Sequence, residues 1–355
     1  MEQTRAAEAL PGAAAPAGPG GPPGRLQRLL SWLERHRLLL ACASFAAGSA
    51  SFALVERNNA RVAQSIAILL AAGWLLMLSE GLLARWLAGY RWARLSPLVL
   101  RYSIQAVHQQ TYFFCLPFLL STTTWASGQA VFTAAAGAGA LVSMWDPLYY
   151  GVIAARPWRY LGFHAFAVYL AALTVPPVLW QLTTTQSLAA ASAAIGLFAL
   201  PSLAHLIRGR SLRRWGLLLA AALSLGAASW LLRFWVPPVT LWVDQAVIST
   251  GVDTDARQPG PALRTVPANV LAQGLYAFTA IHAPRGLRER VFHRWMHGGR
   301  EVARIPLDIA GLGRQGYRAW SYKQNFPADA AGAWRVEVVT DAGQLIGEVR
   351  FEVVP

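Results

Sequence analysis

Charge is scarce in this chain. Only 14% of its 355 residues are Asp, Glu, Lys or Arg, while 55% are hydrophobic. Soluble domains carry roughly 25% charged residues, so composition alone argues against a wholly soluble protein. Cysteine is limited to Cys42 and Cys115, both inside apolar runs, which excludes a disulfide framework. The sequence contains no HExxH, no paired acidic motif and no glycine-rich phosphate loop, the signatures that would mark a zinc hydrolase or a nucleotide enzyme. Its histidines lack ligand spacing within any one helix. Neither a metal nor a cofactor is expected.

The net charge of +14 resembles a nucleic-acid signal until it is divided along the chain. Through Val236 there are 18 basic and 6 acidic residues, and from Pro237 onward 13 and 11. The excess of +12 therefore lies in the apolar part and only +2 in the remainder, without a clustered basic face. This distribution points to membrane topology rather than to nucleic acid.

What the chain has in abundance is long apolar runs. Leu38–Val55, Val62–Leu83, Tyr102–Leu120, Val131–Ile153, Leu161–Trp180, Leu188–Leu206 and Trp215–Trp235 each approach the roughly 20 residues needed to cross a bilayer as a helix. The expected fold is a polytopic α-helical membrane bundle of about seven spans (38–236), followed by an all-β sandwich of immunoglobulin-like plan. Residues 1–24, mostly Ala, Pro and Gly, are expected to be a disordered tail, and 25–37 (RLQRLLSWLERHR) a basic amphipathic helix at the membrane interface.

Arginines alternate between loops. Arg25, Arg28, Arg35 and Arg37 precede the first run, and Arg85, Arg91, Arg94 and Arg101 follow the second. Arg156 and Arg159 follow the fourth; Arg208, Arg210, Arg213 and Arg214 follow the sixth. Basic loops stay inside, so the N-terminus is expected in the cytoplasm and the C-terminal domain in the periplasm.

After a linker-like stretch (237–273, with a possible first strand at Trp242–Ser249) the pattern changes to period two. Gly274–His282, Glu289–His297, Glu301–Pro306, Ala319–Gln324, Ala333–Thr340 and Leu345–Val353 read as strands separated by glycine-containing turns.

Two groups of residues are candidates for function. Glu80, His108, Asp146, His164 and His205 are ionisable groups within apolar runs, where such groups are costly. His108 and Asp146 lie at equal expected depth, roughly 10 Å in from the inner ends of consecutive helices. They could pair, either as part of a polar cluster binding a proton, a metal or a lipid headgroup, or as a structural hydrogen bond. In the soluble part, His293, Trp295 and His297 share one strand face, and Trp320 and Tyr322 another. These five could form a ligand surface, with Trp295 and Trp334 in the core as the plainer alternative.

The runs LYAFTAI, VFHRWMHGGREVARIPL, YRAWSYKQ and GAWRVEVVTDAGQLIGEVRFEV resemble the bacterial family known as domain of unknown function 2914. The preceding helical portion is similar in organisation to domain of unknown function 5924. The resemblance implies a bacterial inner-membrane protein with a periplasmic β-domain and supplies no activity. Two functions are carried forward. The first is an inner-membrane protein whose β-sandwich binds an envelope protein or glycan; the second is a transporter or membrane enzyme acting through the cluster around His108 and Asp146.

Overall fold

The computed structural model describes residues 96–180, 182–206, 212–283, 289–307 and 317–355, with scattered positions between 28 and 68. The chain divides into two compact units, Met1–His36 and Arg37–Pro355. In the first, Trp32 and His36 stack one helical turn apart at 4.5 Å. The second holds a helical part and a β-sandwich.

The helical part comprises α1 (Ser96–Thr122), α2 (Gln129–Met144), α3 (Pro157–Trp180), α4 (Thr184–Leu206) and α5 (Leu212–Leu231), the last extended by a 3-10 turn, Leu232–Trp235. A π-turn, Tyr149–Ile153, lies between α2 and α3. Among the described residues only Pro157–Trp180 and Leu212–Trp235 are long and apolar enough to cross a membrane. The expected polytopic bundle of about seven spans is thus overturned.

The physical reasons are local. α2 has 16 residues, about 24 Å of helix, short of the roughly 30 Å of a bilayer core. The run expected as one span over Val131–Ile153 breaks at Trp145, whose backbone is extended (φ −102°, ψ 99°). α1 carries Gln105, His108, Gln109, Gln110 and Thr111 in succession along its middle. α4 is built largely of Ala, Ser and Thr. The expected spans Leu38–Val55 and Val62–Leu83 lie almost wholly outside the described residues.

Small residues set the spacing of these helices. A Cβ on Gly139 of α2 would lie 2.4 Å from the Tyr112 ring of α1. Between α4 and α5 the same device is reciprocal: Gly196 approaches the Ala222 carbonyl and Gly226 the Ser192 carbonyl. The Ser229 hydroxyl donates to the Ser192 hydroxyl at 2.8 Å beside them. Such close backbone approach needs no hydrophobic driving force.

The two span-length helices differ in what surrounds them. The apolar window of α3 is 56% buried, that of α5 only 11%. Leu217, Leu219, Leu223 and Leu231 of α5 are exposed. Exposed tryptophans mark both ends: Trp158 and Trp180 on α3, Trp215 and Trp235 on α5 and its extension. These pairs are about 33 and 30 Å apart along their axes.

The β-part begins inside the linker-like stretch, with the possible first strand at Trp242–Ser249. β1 (Trp242–Ser249) pairs with β5 (Leu275–His282), which pairs with β8 (Tyr317–Lys323) in a three-stranded sheet. A five-stranded sheet runs β4 (Thr265–Pro267), β10 (Leu345–Val354), β9 (Gly332–Thr340), β6 (Val291–His297), β7 (Arg300–Leu307). The short β2 (Val252–Asp253) and β3 (Gln258–Pro259) form a hairpin of their own. β4 and β10 are parallel, which departs from the antiparallel sheets of the immunoglobulin plan.

The β6–β7 turn requires Gly298 and Gly299, both at positive φ (54° and 78°), as a two-residue hairpin turn of this hand does. Ile248, Leu275 and Ala277 from one sheet meet Trp295, Trp334, Val336 and Phe351 from the other to form the core.

Candidate functional site

Of the candidate residues in the helical part, His108 and His164 come together, joined differently from the possible His108–Asp146 pair. His108 is fully buried on α1. Its Nδ1 lies 2.9 Å from the Tyr149 hydroxyl in the π-turn, and its Nε2 2.9 Å from His164 Nδ1 on α3. Two proton assignments satisfy both: Tyr149 donates to Nδ1 and Nε2–H donates to His164, or His164 Nδ1–H donates to Nε2 and His108 Nδ1–H donates to Tyr149. Neither His108 nitrogen bonds Asp146. Asp146 accepts from Gln105 Nε2 at 2.8 Å, one turn of α1 away, and the Tyr150 hydroxyl donates to Gln105 Oε1 at 2.5 Å. The possible His108–Asp146 pair fails because the helix stops at Trp145. Asp146 therefore opens a new turn at the end of the bundle instead of sitting within α2.

Phe163 and Tyr160 pack edge-on against His108, and Tyr112 donates to the Phe163 carbonyl at 3.0 Å. Buried polar groups in such surroundings must be paired, and here the pairing links α1, the π-turn and α3. Glu80 lies outside the described residues. His205 falls on the last turn of α4, and its side chain lies outside them as well. Among the described residues no group of His, Cys, Asp and Glu is arranged to hold a metal.

In the sandwich, the five candidate ligand residues separate. His293 and Trp295 both have zero exposure. His293 Nε2 lies 3.0 Å from the Thr279 hydroxyl and Nδ1 2.8 Å from the Ser321 hydroxyl. Trp295 Nε1 donates to the same Ser321 at 3.2 Å. The Ser–His–Thr order resembles a catalytic relay, but it is sealed between the sheets, where no substrate reaches it. Burial holds His293 well below its ordinary value, at about 3, so it is neutral across the physiological range.

His297 stacks on Trp334 at 4.5 Å, with its ring nitrogens 3.3 and 3.0 Å from the Ala333 and Asp329 carbonyls. It ties down a loop. Trp320 is half-buried and Tyr322 exposed on the outer face of the three-stranded sheet. There Tyr322 stacks on Tyr276 at 4.5 Å and donates to the Gln273 carbonyl at 2.6 Å. Lys323, the one lysine in the sequence, faces inward over the Phe326 ring at 5.1 Å.

Sequence reasoning missed the seam between the two parts. Gln129 Nε2 at the start of α2 donates to the Leu345 carbonyl at 2.7 Å. Arg233 Nε after α5 donates to the Ala342 carbonyl at 2.7 Å, and its guanidinium lies over the Phe234 ring at 4.3 Å. Gln344, buried, donates to the Val236 carbonyl at 3.1 Å. Glu289 accepts from the Thr184 amide at 2.7 Å and its hydroxyl at 2.9 Å, capping the first turn of α4, where orphan amides and the helix dipole favour a carboxylate. Burial raises the Glu289 carboxyl above its ordinary value, and the two Thr184 bonds oppose that rise.

Beside this seam lies an open cleft of about 610 Å³. The end of α1 and the loop after it (121–126) form one wall; Trp242, Val243, Asp244 and Ala246 of β1 with Glu348 and Arg350 of β10 form the other. Thr123 bonds the Thr133 hydroxyl at 2.5 Å beneath it.

Residues 23–277 match the family of unknown function DUF5924, and residues 288–353 the protein of unknown function DUF2914. No curated protein and no solved structure matches the chain.

Proposed function

Because the chain belongs to the family of unknown function DUF5924, we propose its function from its own geometry: it is a bacterial inner-membrane protein holding a β-sandwich on the periplasmic side, where the sandwich binds an envelope protein or glycan. One observation carries the orientation. Among the described residues, the docking bonds to the sandwich come from the same end of the helical part: the start of α2, the start of α4 and the segment that follows α5. Arg156 and Arg159 at the start of α3, and Arg213 and Arg214 at the start of α5, mark the opposite end. Basic residues are retained on the cytoplasmic side, so the sandwich faces outward, whatever the number of spans.

The membrane assignment draws support from α5. An exposed leucine surface bounded by tryptophans about 30 Å apart suits a lipid-facing helix with its aromatic residues at the two headgroup layers. Arg159 lies over Trp158 at 5.1 Å and Arg214 over Trp215 at 5.7 Å, cation and indole sharing one layer. A role in binding rather than chemistry accords with the sealed state of His293 and Ser321.

The test is the side on which Pro355 lies. A reporter active only in the periplasm, fused after Pro355, is expected to be active, and one fluorescent only in the cytoplasm to be dark. The reverse pattern overturns the orientation and the envelope role with it.

A further inference from the structure

We propose that the cleft between the end of α1 and strands β1 and β10 is a binding site for an uncharged oligosaccharide, a ligand class that specifies the envelope-binding role and rests on it. Its volume of about 610 Å³ falls within the roughly 300–1,000 Å³ of small-ligand sites. Its lining is unlike that of an acyl-chain pocket. Ser121, Thr124, Asp244, Glu348 and Arg350 supply hydroxyls and planar charged groups along both walls.

Charge then narrows the choice. Asp244 and Glu348 contribute two carboxylates against the Arg350 guanidinium, which is already engaged by Glu348 at 2.5 Å. The end of α1 adds the negative pole of a helix. A phosphate or carboxylate ligand would meet net repulsion. A sugar carries no charge, and its hydroxyls match groups that accept or donate in pairs.

Aromatic residues complete the match. Trp125 is exposed in the loop after α1 and supplies the open ring face; Trp242, at the start of β1, is stacked on His282 at 4.9 Å. An indole face takes the apolar C–H face of a pyranose ring while leaving the ring's hydroxyls to the polar groups.

The backbone is also shaped here. β1 bulges between Val243 and Gln245, and β10 between Leu345 and Gly347. Asp244 is the extra residue of the first bulge. Gly347 of the second has no Cβ, and one there would lie 2.8 Å from Val243, so the two strands meet closely at the floor of the cleft. Paired bulges that re-aim side chains are characteristic of binding sites.

The experiment uses the full chain in phosphatidylcholine nanodiscs, prepared without maltoside detergent, whose headgroup is itself a disaccharide. Chitotriose, cellotriose and maltotriose are titrated by calorimetry, with inorganic phosphate and spermidine as charged probes. At least one trisaccharide is expected to bind, phosphate is not, and Trp125→Ala and Asp244→Asn should each weaken the sugar about tenfold. Both residues are exposed, so thermal unfolding should stay unchanged.

Failure of all three sugars, or binding indifferent to both substitutions, overturns the proposal. Spermidine binding that is lost in Asp244→Asn overturns it in favour of a cation site. Sugar binding left intact in Trp125→Ala overturns the role of Trp125 here. Nanodisc binding does not depend on cellular orientation. A sugar site with a cytoplasmic Pro355 would sink the envelope role alone, and a periplasmic Pro355 without sugar binding would sink the cleft alone.

Discussion

His108 and His293 are both fully buried, and each is bonded through both ring nitrogens. Their neighbours differ in kind. His293 sits between two hydroxyls, Thr279 and Ser321, which can rotate to suit whichever tautomer it adopts. His108 sits between a phenol and a second imidazole, and the direction of one bond fixes that of the next. The sandwich thus uses histidine as a pin between sheets. The helical part uses it as the middle of a chain crossing three elements.

The comparison can be broken from the sandwich side first. Trp295→Ala should remove about 3–5 kcal/mol from the stability of the sandwich through the cavity it leaves, read by thermal unfolding. A loss under about 1 kcal/mol would mean the site collapses around the gap and is not the rigid core described.

His293→Ala should come next, at about 2–3 kcal/mol, because Thr279 and Ser321 would lose their partner inside the core. His293→Gln, which can bond both hydroxyls, should recover part of that loss.

A pH titration sharpens the contrast. The unfolded His293 takes up a proton near pH 6.5, while the folded one resists until about 3. The depressed value means that its contribution to stability is whole above pH 6.5 and is lost as the pH falls toward 3, at roughly 1.4 kcal/mol per unit. His293→Gln should flatten that slope. An unchanged slope would show that other groups govern the acid response.

For the helical chain, a double-mutant cycle with His108→Gln and His164→Gln should give a coupling of about 1 kcal/mol. His108→Gln combined with His293→Gln should be additive. Coupling in the second cycle would mean that the two halves do not respond separately.

The smallest effect belongs to Glu289. Its raised value gives the opposite sign: its contribution is present below about pH 4.5 in the unfolded scale and lost as pH rises through the folded value. Acidification should therefore slightly favour docking. Glu289→Gln should abolish that dependence in a denaturation series measured between the two values.

Much of the sandwich was legible in the sequence because a strand advertises itself every second residue. The expected Gly274–His282 and Ala333–Thr340 differ from Leu275–His282 and Gly332–Thr340 by one residue. Alternation grouped His293 with Trp295 correctly but does not say which face of a strand turns inward, so residues of the core were offered as a binding surface. The apolar helices were legible as helices; whether each crosses a membrane was not. An apolar window describes a half-buried helix such as α3 as well as an exposed one such as α5, and only neighbours separate them.

The misplacement of Asp146 came from one extended residue, Trp145, for which the surrounding sequence holds a single cue, the Pro147 that follows. The resemblance to the two domain families is matched in order along the chain. The seam had no local signal at all: Thr184 and Glu289 are 105 residues apart, and a capping threonine does not announce a partner so distant.

Three of the seam contacts share one property with consequences for how this protein can change over generations. Gln129, Arg233 and Gln344 all donate to main-chain carbonyls, those of Leu345, Ala342 and Val236. Every residue type carries that oxygen. The receiving positions are therefore open to drift in side-chain identity as long as the turn keeps its shape, while the three donors are not. Mutational tolerance across this joint should be lopsided, with the residues that reach held fixed and those that are reached left free.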